Sequence, residues 1–246
     1  HRGVGTSGGS EDHTGMLCCA PKQLSQVRFC PIEIEKQVPF PTDYTFVVAV
    51  SGALAEKTGA AKEKYNLAAS QANQLVNIWN QNYGGGYPNL AKVLEHEPAA
   101  FNKLQQLVAA KPDLELRLIA FNKESNEIIP AASLALEQGD MAAFGQLAFQ
   151  SHANASTALG NQIPETDRLV QLAEAFGALG ATSFGAGFGG SVWALVPTDS
   201  AEEFGSRWLQ RYLADFPVHT GRAGVIITSP GRSAHKINSL SAMSKK

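Results

Sequence analysis

Gly185-Ala186-Gly187-Phe188-Gly189-Gly190 is followed, one residue later, by Val192-Trp193-Ala194-Leu195-Val196. That order decides the fold class. A dinucleotide fingerprint follows a strand and opens a helix. This glycine run opens a strand, so a Rossmann reading fails on context. The glycines retain two uses. They let one backbone pack closely on another, or they bring N–H groups to a phosphate.

Read outward from there, the chain places strands toward its ends and helices between them. Tyr44-Thr45-Phe46-Val47-Val48-Ala49-Val50 is β-branched and aromatic, and Ser51-Gly52 ends it. It predicts a buried strand. Val27-Arg28-Phe29-Cys30 and Ile32-Glu33-Ile34 predict shorter strands, broken by Pro39 and Pro41. Tyr65, Ala68, Ala69, Ala72, Leu75, Val76 and Trp79 recur at three- and four-residue steps, the face of one helix. Further helices are expected over 90–94, 99–109, 114–137 and 141–159, after Pro164, and along Phe204, Trp208 and Tyr212 with Ser200 as cap. Residues 180–190 read as glycine-rich, and Val225-Ile226-Ile227 as a last strand. Strands, many helices, then strand, helix and strand make an α+β protein rather than repeated βαβ units.

With 246 residues, 44% of them hydrophobic and 17% charged, the chain is globular and long enough to bury a core. A net charge of −2 gives no reason to expect nucleic acid or an anionic membrane as partner. No apolar run reaches the roughly 18 residues of a membrane span. The three cysteines, Cys18, Cys19 and Cys30, are too few for a disulfide framework and lack metal-ligand spacing. They read as buried free thiols in a reducing cytoplasm. No metal site and no secretory leader are expected.

A second glycine-rich stretch, Gly3-Val4-Gly5-Thr6-Ser7-Gly8-Gly9, leads into Ser10-Glu11-Asp12-His13. Ser10 as N-cap would put Asp12 in a first helical turn, where the macrodipole favours an ionised carboxylate. Such an acid is either a charge–dipole partner on the surface or a base that accepts a hydroxyl proton during phosphoryl transfer. A third stretch joins Ser51-Gly52-Ala53 to Lys64-Tyr65-Asn66. Tyr65 alone reads as core. So does His152, on an apolar stripe with Phe144, Leu147 and Ala148, as a hydrogen-bonded core histidine. Lys57, Lys62 and Lys64 read as a solvated surface.

Together these stretches resemble the GHMP small-molecule kinases, and within them the galactokinase-like branch. Residues 5–13 are similar to that family's glycine-containing segment ending in Asp-Gln, with Asp12 at the catalytic base and His13 in place of glutamine. Gly9 falls where the galactokinase backbone meets the sugar. Residues 46–51 with Lys64-Tyr65-Asn66 resemble the branch's strand, serine and sugar-touching tyrosine. Ser151-His152 resembles a recurrent Ser-His, and residues 185–190 the third motif, Gly-x-Gly-Phe-Gly-Gly, which supports the phosphate-binding loop. The family's first motif and its glycine- and serine-rich second motif are not in the sequence, and neither is GxxxxGK[ST]. The resemblance therefore implies a C-terminal portion. Residues 1–52 would end a ribosomal-S5-like domain, and 53–246 would form a ferredoxin-like GHMP kinase C-terminal domain with inserted helices.

For function, the resemblance implies ATP-dependent phosphorylation of a monosaccharide hydroxyl, the anomeric one, with Mg2+. Asp12 would be the base, Gly9 and Tyr65 would contact the sugar, and Gly185, Gly187, Gly189 and Gly190 would serve the nucleotide. Asp12 is expected to face a cleft shared with residues 185–190. A non-catalytic sugar sensor is the alternative from the same ancestry. Without the phosphate loop this chain is expected to be inactive alone, and to self-associate through surface that a further lobe would cover.

Overall fold

A computed structural model describes residues 9–55 and 60–235. Helix α1 (Glu11–Cys18) opens it, followed by a hairpin of β1 (Gln23–Arg28) and β2 (Glu33–Pro39), and then by β3 (Tyr44–Val50). Helices α2 (Ala60–Tyr83), α3 (Leu90–His96), α4 (Ala100–Val108), α5 (Pro112–Asn122), α6 (Ile129–Glu137), α7 (Met141–Asn154) and α8 (Pro164–Ala175) follow. Strands β4 (Gly180–Ser183) and β5 (Ser191–Pro197), helix α9 (Ala201–Asp215) and strand β6 (Gly224–Thr228) complete the described chain. The architecture is α+β, as the element order predicts. No helix among the described residues is long and apolar enough to cross a membrane.

One antiparallel sheet, in the order β4-β5-β3-β6, organises the rest. The alternation in β3 sends Thr45, Val47 and Ala49 to one face, where they are buried. There Val47 and Ala49 meet Val192, Ala194 and Val196 of β5 under α8 and α9, which contribute Leu169, Ala173, Phe204 and Trp208. The Trp208 indole N–H donates to the Leu169 carbonyl at 2.9 Å and ties the two helices together. The opposite face carries Phe46, Trp193 and Leu195, which pack against Val38 and Phe40 of the hairpin region and Leu136 and Met141 of α6 and α7. Helices α2 to α5 enclose a core of their own, built on Leu75, Trp79, Val93, Leu104 and Leu118.

Strand β3 pairs with β5 on one side and β6 on the other, so the sheet draws together residues on both sides of the expected boundary after residue 52. The sheet also contains a strand that the sequence hides. β4 starts at Gly180, inside the stretch that reads as loop, and only Gly180 and Ala181 of its four residues are buried. Small residues are required there because α7 crosses the strand at backbone contact. A Cβ on Gly145 would lie 2.1 Å from the Leu179 carbonyl oxygen, and one on Gly180 would lie 2.2 Å from that of Gly145.

The expected helix over 114–137 forms with a change of pitch in its middle. A π-helical turn, Lys123–Ile128, separates α5 from α6, and a second, Ala155–Leu159, ends α7. Pro130 lies just after the first; it lacks an N–H and its ring crowds the preceding turn, which the wider pitch accommodates. Neither expected serine cap forms. Ser10 makes no side-chain capping bond, and the Ser200 hydroxyl donates back to the Pro197 carbonyl at 3.1 Å. The thiols are not buried either: Cys18, at the end of α1, and Cys30, in the hairpin turn, are exposed, and Cys19 is half-buried.

The glycine contact gives a direct test of the packing. Gly145→Ala is expected to lower stability by about 2 kcal/mol, or the melting temperature by roughly 4–8 °C, because the new methyl meets backbone that has nowhere to go. A thermal unfolding curve unchanged from wild type would overturn the contact.

Candidate active site

Helix α1 presents two different faces. Glu11, Thr14 and Gly15 turn inward, where with Gly9 and Ser10 they form part of the wall of a cavity of about 770 Å³. Asp12, His13, Met16 and Leu17 face outward and are exposed. At about 100° per residue, positions 11, 14 and 15 share one side of a helix and 12 and 16 the other. Asp12 occupies the first turn, as predicted, beside Glu11. It is not among the residues that line this cavity, whose wall includes Gly9 and Gly185.

The glycine run follows a left-handed path. Gly185 (φ 56°), Gly187 (83°), Phe188 (58°), Gly189 (128°) and Gly190 (88°) all have positive φ. An aromatic residue in that region is strained and persists only where its surroundings hold it. Two backbone segments do so. The Phe188 N–H donates to the Asn161 carbonyl at 2.6 Å, and the Gly190 N–H to the Ala53 carbonyl at 2.9 Å. A Cβ on Gly187 would lie 2.1 Å from the Asn161 carbonyl oxygen, and one on Gly189 would lie 2.9 Å from that of Ala53. The two uses of glycine therefore separate by position. Gly187 and Gly189 serve close backbone packing, Gly190 meets only the Ala55 methyl at 3.9 Å, and Gly185 has nothing within 4 Å of its Cβ position and borders the cavity.

Ser51 anchors the far end of the run. It is fully buried, its hydroxyl donates to the Gly190 carbonyl at 2.6 Å, and its N–H reaches the same oxygen at 3.0 Å. Its own carbonyl accepts the Tyr212 hydroxyl at 2.7 Å. Burial first, and the charge of Glu165 second, push the Tyr212 hydroxyl far above its ordinary value, so it remains a donor. The Lys64 ammonium lies 5.6 Å from the centre of the Phe188 ring. The Tyr65 side chain, Lys57, Lys62 and residues 3–8 lie outside the described residues.

Ser151 and His152 point in different directions. The Ser151 hydroxyl donates to Glu124 Oε1 at 2.7 Å, beside Asn154, whose amide reaches Glu124 Oε2 at 3.3 Å and the Ala120 carbonyl at 2.9 Å. This group lies on the cavity wall where the first π-helical turn, bearing Glu124, packs against the end of α7. His152 is buried, with Nε2 at 3.0 Å from Asp167 Oδ1, the hydrogen-bonded core histidine expected from its stripe. Arg117 also lines the cavity; its Nε donates to the Ala68 carbonyl at 3.1 Å, and burial lowers its pKa. Among the described residues no group of three or more histidines, cysteines or acids could hold a metal ion.

Residues 132–215, from within α6 to the end of α9, match the family "GHMP kinases C terminal". The chain thus contains a GHMP kinase C-terminal domain, and its likeness beyond that segment runs to galactokinases. It is 30% identical over 180 residues to a galactokinase of Thermococcus kodakarensis, covering 73% of this chain and 46% of that protein. A galactokinase of a Roseiflexus species is 32% identical over 178 residues, covering 72% and 43%. The chain thus spans about half the length of the curated relatives it matches. The fold is shared with a crystal structure of Lactococcus lactis galactokinase complexed with galactose, at a TM-score of 0.73 and 23% identity, over 89% of this chain and 53% of that one.

His152 carries a pH signature. Burial lowers its pKa below the ordinary 6.5, outweighing the pull of Asp167. The unfolded chain then binds a proton that the folded chain refuses, so this site's contribution to stability falls as pH drops below about 6.5 and levels off below the folded value. His152→Gln should remove that component. Urea midpoints measured between about pH 7.5 and 5 should drop less in the variant than in wild type. Equal drops in the two proteins would refute the assignment.

Proposed function

We propose that this chain carries the base and the phosphate-side glycine run of an ATP-dependent sugar kinase of the galactokinase type. The observation that supports the reading most is the placement of Asp12. It sits exposed in the first turn of α1, three residues after Gly9, in a chain whose likeness to galactokinases extends over 73% of its length.

In this reading a monosaccharide lies at the N-terminal end of α1, against Gly9 and the Tyr65 side chain, with its anomeric hydroxyl toward Asp12. The hydroxyl oxygen bonds to the γ-phosphorus of ATP as the bond from that phosphorus to the bridging oxygen breaks, and the hydroxyl proton passes to Asp12. Because such transition states are loose, alignment of the hydroxyl counts for more than depth of proton transfer. Gly185 offers open backbone toward the phosphates, braced by Gly187, Gly189 and Gly190. Mg2+ is the ion this chemistry uses, and its ligands lie outside the residues described here.

The outward face of α1 is apolar, with Met16 63% and Leu17 65% exposed, and Ile32 in the hairpin turn is 54% exposed. We assign that face to contact with a further lobe bearing the ATP-phosphate loop, with self-association as its fate when bare.

Asp12→Asn in the full-length gene product is expected to lower kcat by about a hundredfold or more with the sugar KM changed less than about threefold. Steady-state kinetics with kcat preserved would exclude Asp12 as base. The 246-residue chain alone is expected to phosphorylate no sugar measurably. Calorimetry showing that the full-length protein binds a sugar without turnover would favour the sensor alternative.

A further inference from the structure

We propose that Asn161 is a positioning residue for phosphoryl transfer, a clamp that sets the path of the glycine run and so the placement of Gly185. The proposal rests on the kinase reading only for its catalytic consequence; the clamp itself is a matter of geometry.

Asn161 is 6% exposed, in the short link between α7 with its π-helical end and α8. All of its hydrogen-bonding atoms are engaged. Its N–H donates to the Ala155 carbonyl at 3.3 Å, and its carbonyl accepts the Phe188 N–H at 2.6 Å. Its side-chain Nδ2 donates to the Ala186 carbonyl at 3.1 Å, and its Oδ1 accepts from Gln162 Nε2 at 2.9 Å. Two of these bonds grip the glycine run on either side of Gly187. Gly187 itself lies so close that a Cβ there would be 2.8 Å from the Asn161 side-chain amide.

The amide has only one productive orientation. Gln162 fixes it by donating to Oδ1, and Gln162 Oε1 lies 3.0 Å from the Thr166 hydroxyl, whose one proton it shares with the Ile163 carbonyl at the same distance. Thr166 is fully buried in the first turn of α8. The relay Thr166–Gln162–Asn161–Ala186 thus couples the start of a core helix to the loop through aligned donors and acceptors. An aspartate at 161 has nearly the same shape, but it would set a carboxylate oxygen against the Ala186 carbonyl. The unusual backbone angle of Phe188 sits directly downstream of this grip, where loss of the clamp would let the chain relax.

Hydrogen exchange on this chain tests the clamp. Asn161→Ala and Asn161→Asp should each raise amide exchange at 186–190 by about tenfold while protection in β5 and α9 is kept; Gln162→Leu, which touches no loop atom, should act in the same direction but less. Unchanged exchange at 186–190, or an equal rise across β5 and α9, would overturn the clamp. In the full-length gene product, kcat/KM for MgATP should fall by about tenfold in Asn161→Asp with sugar KM within about twofold. Equal loss in both substrates, or none, would overturn the catalytic role. A wild-type protein with no ATP-dependent sugar phosphorylation would instead refute the kinase reading and leave the exchange result to decide the clamp.

Discussion

Backbone lying against backbone, with no room for a side chain between, is the constraint from which the rest of this structure follows. It occurs at Gly145 and Gly180, where α7 rests on β4, and again at Gly187 and Gly189, where the glycine run rests on Asn161 and Ala53. Without these approaches α7 could not cover the sheet edge, and the corner between α7 and α8 could not reach the loop before β5. The left-handed Phe188 shows how firmly the loop is held. Strain of this kind needs over-determined surroundings, and the hydrogen bonds to Asn161 and Ala53 supply them from opposite sides.

Helix α1 shows the same economy in a different form. Thr14 is buried while Met16, two residues on, is largely exposed. One short helix therefore separates a packed, polar cavity wall from an outward face that bears an acid and apolar side chains. What the inward face contributes is support, through Thr14 and the close approach of Gly9 to the Phe29 ring.

Much of this was legible in the sequence because it is local. The run from Tyr44 to Val50 is a buried strand by composition, the stripe through Phe204, Trp208 and Tyr212 is a helix face by period, and Asp12 falls in a first turn. The features that escaped depend on partners distant in the chain. β4 hides in small residues because its neighbour α7 demands them, and nothing near residue 180 announces that helix. The pairing of β3 is another, since its partners lie more than a hundred residues later. Asn161 carries no local signal, since its bonds to Ala186 and Phe188 cross 25 residues and more. The expected cap at Ser200 failed for a local reason instead: its hydroxyl donates to the Pro197 carbonyl three residues back. Burial of the cysteines was inferred from residue type, whereas Cys18 and Cys30 sit at a helix end and a hairpin turn.

The π-helical turn at Lys123–Ile128 fixes a phase as well as a shape. One residue more than an α-helical turn requires is accommodated there, and that residue decides which side of α6 faces the hairpin. Removing it would restore ordinary pitch and rotate everything that follows by about 100° about the axis. Leu136 would swing away from Val38 and Phe40, and Glu137 from Lys36, its ion-pair partner at 2.9 Å. Over this stretch the chain's length is thus as strictly specified as its composition: a shortened gene could keep every apolar side chain and still aim them at solvent.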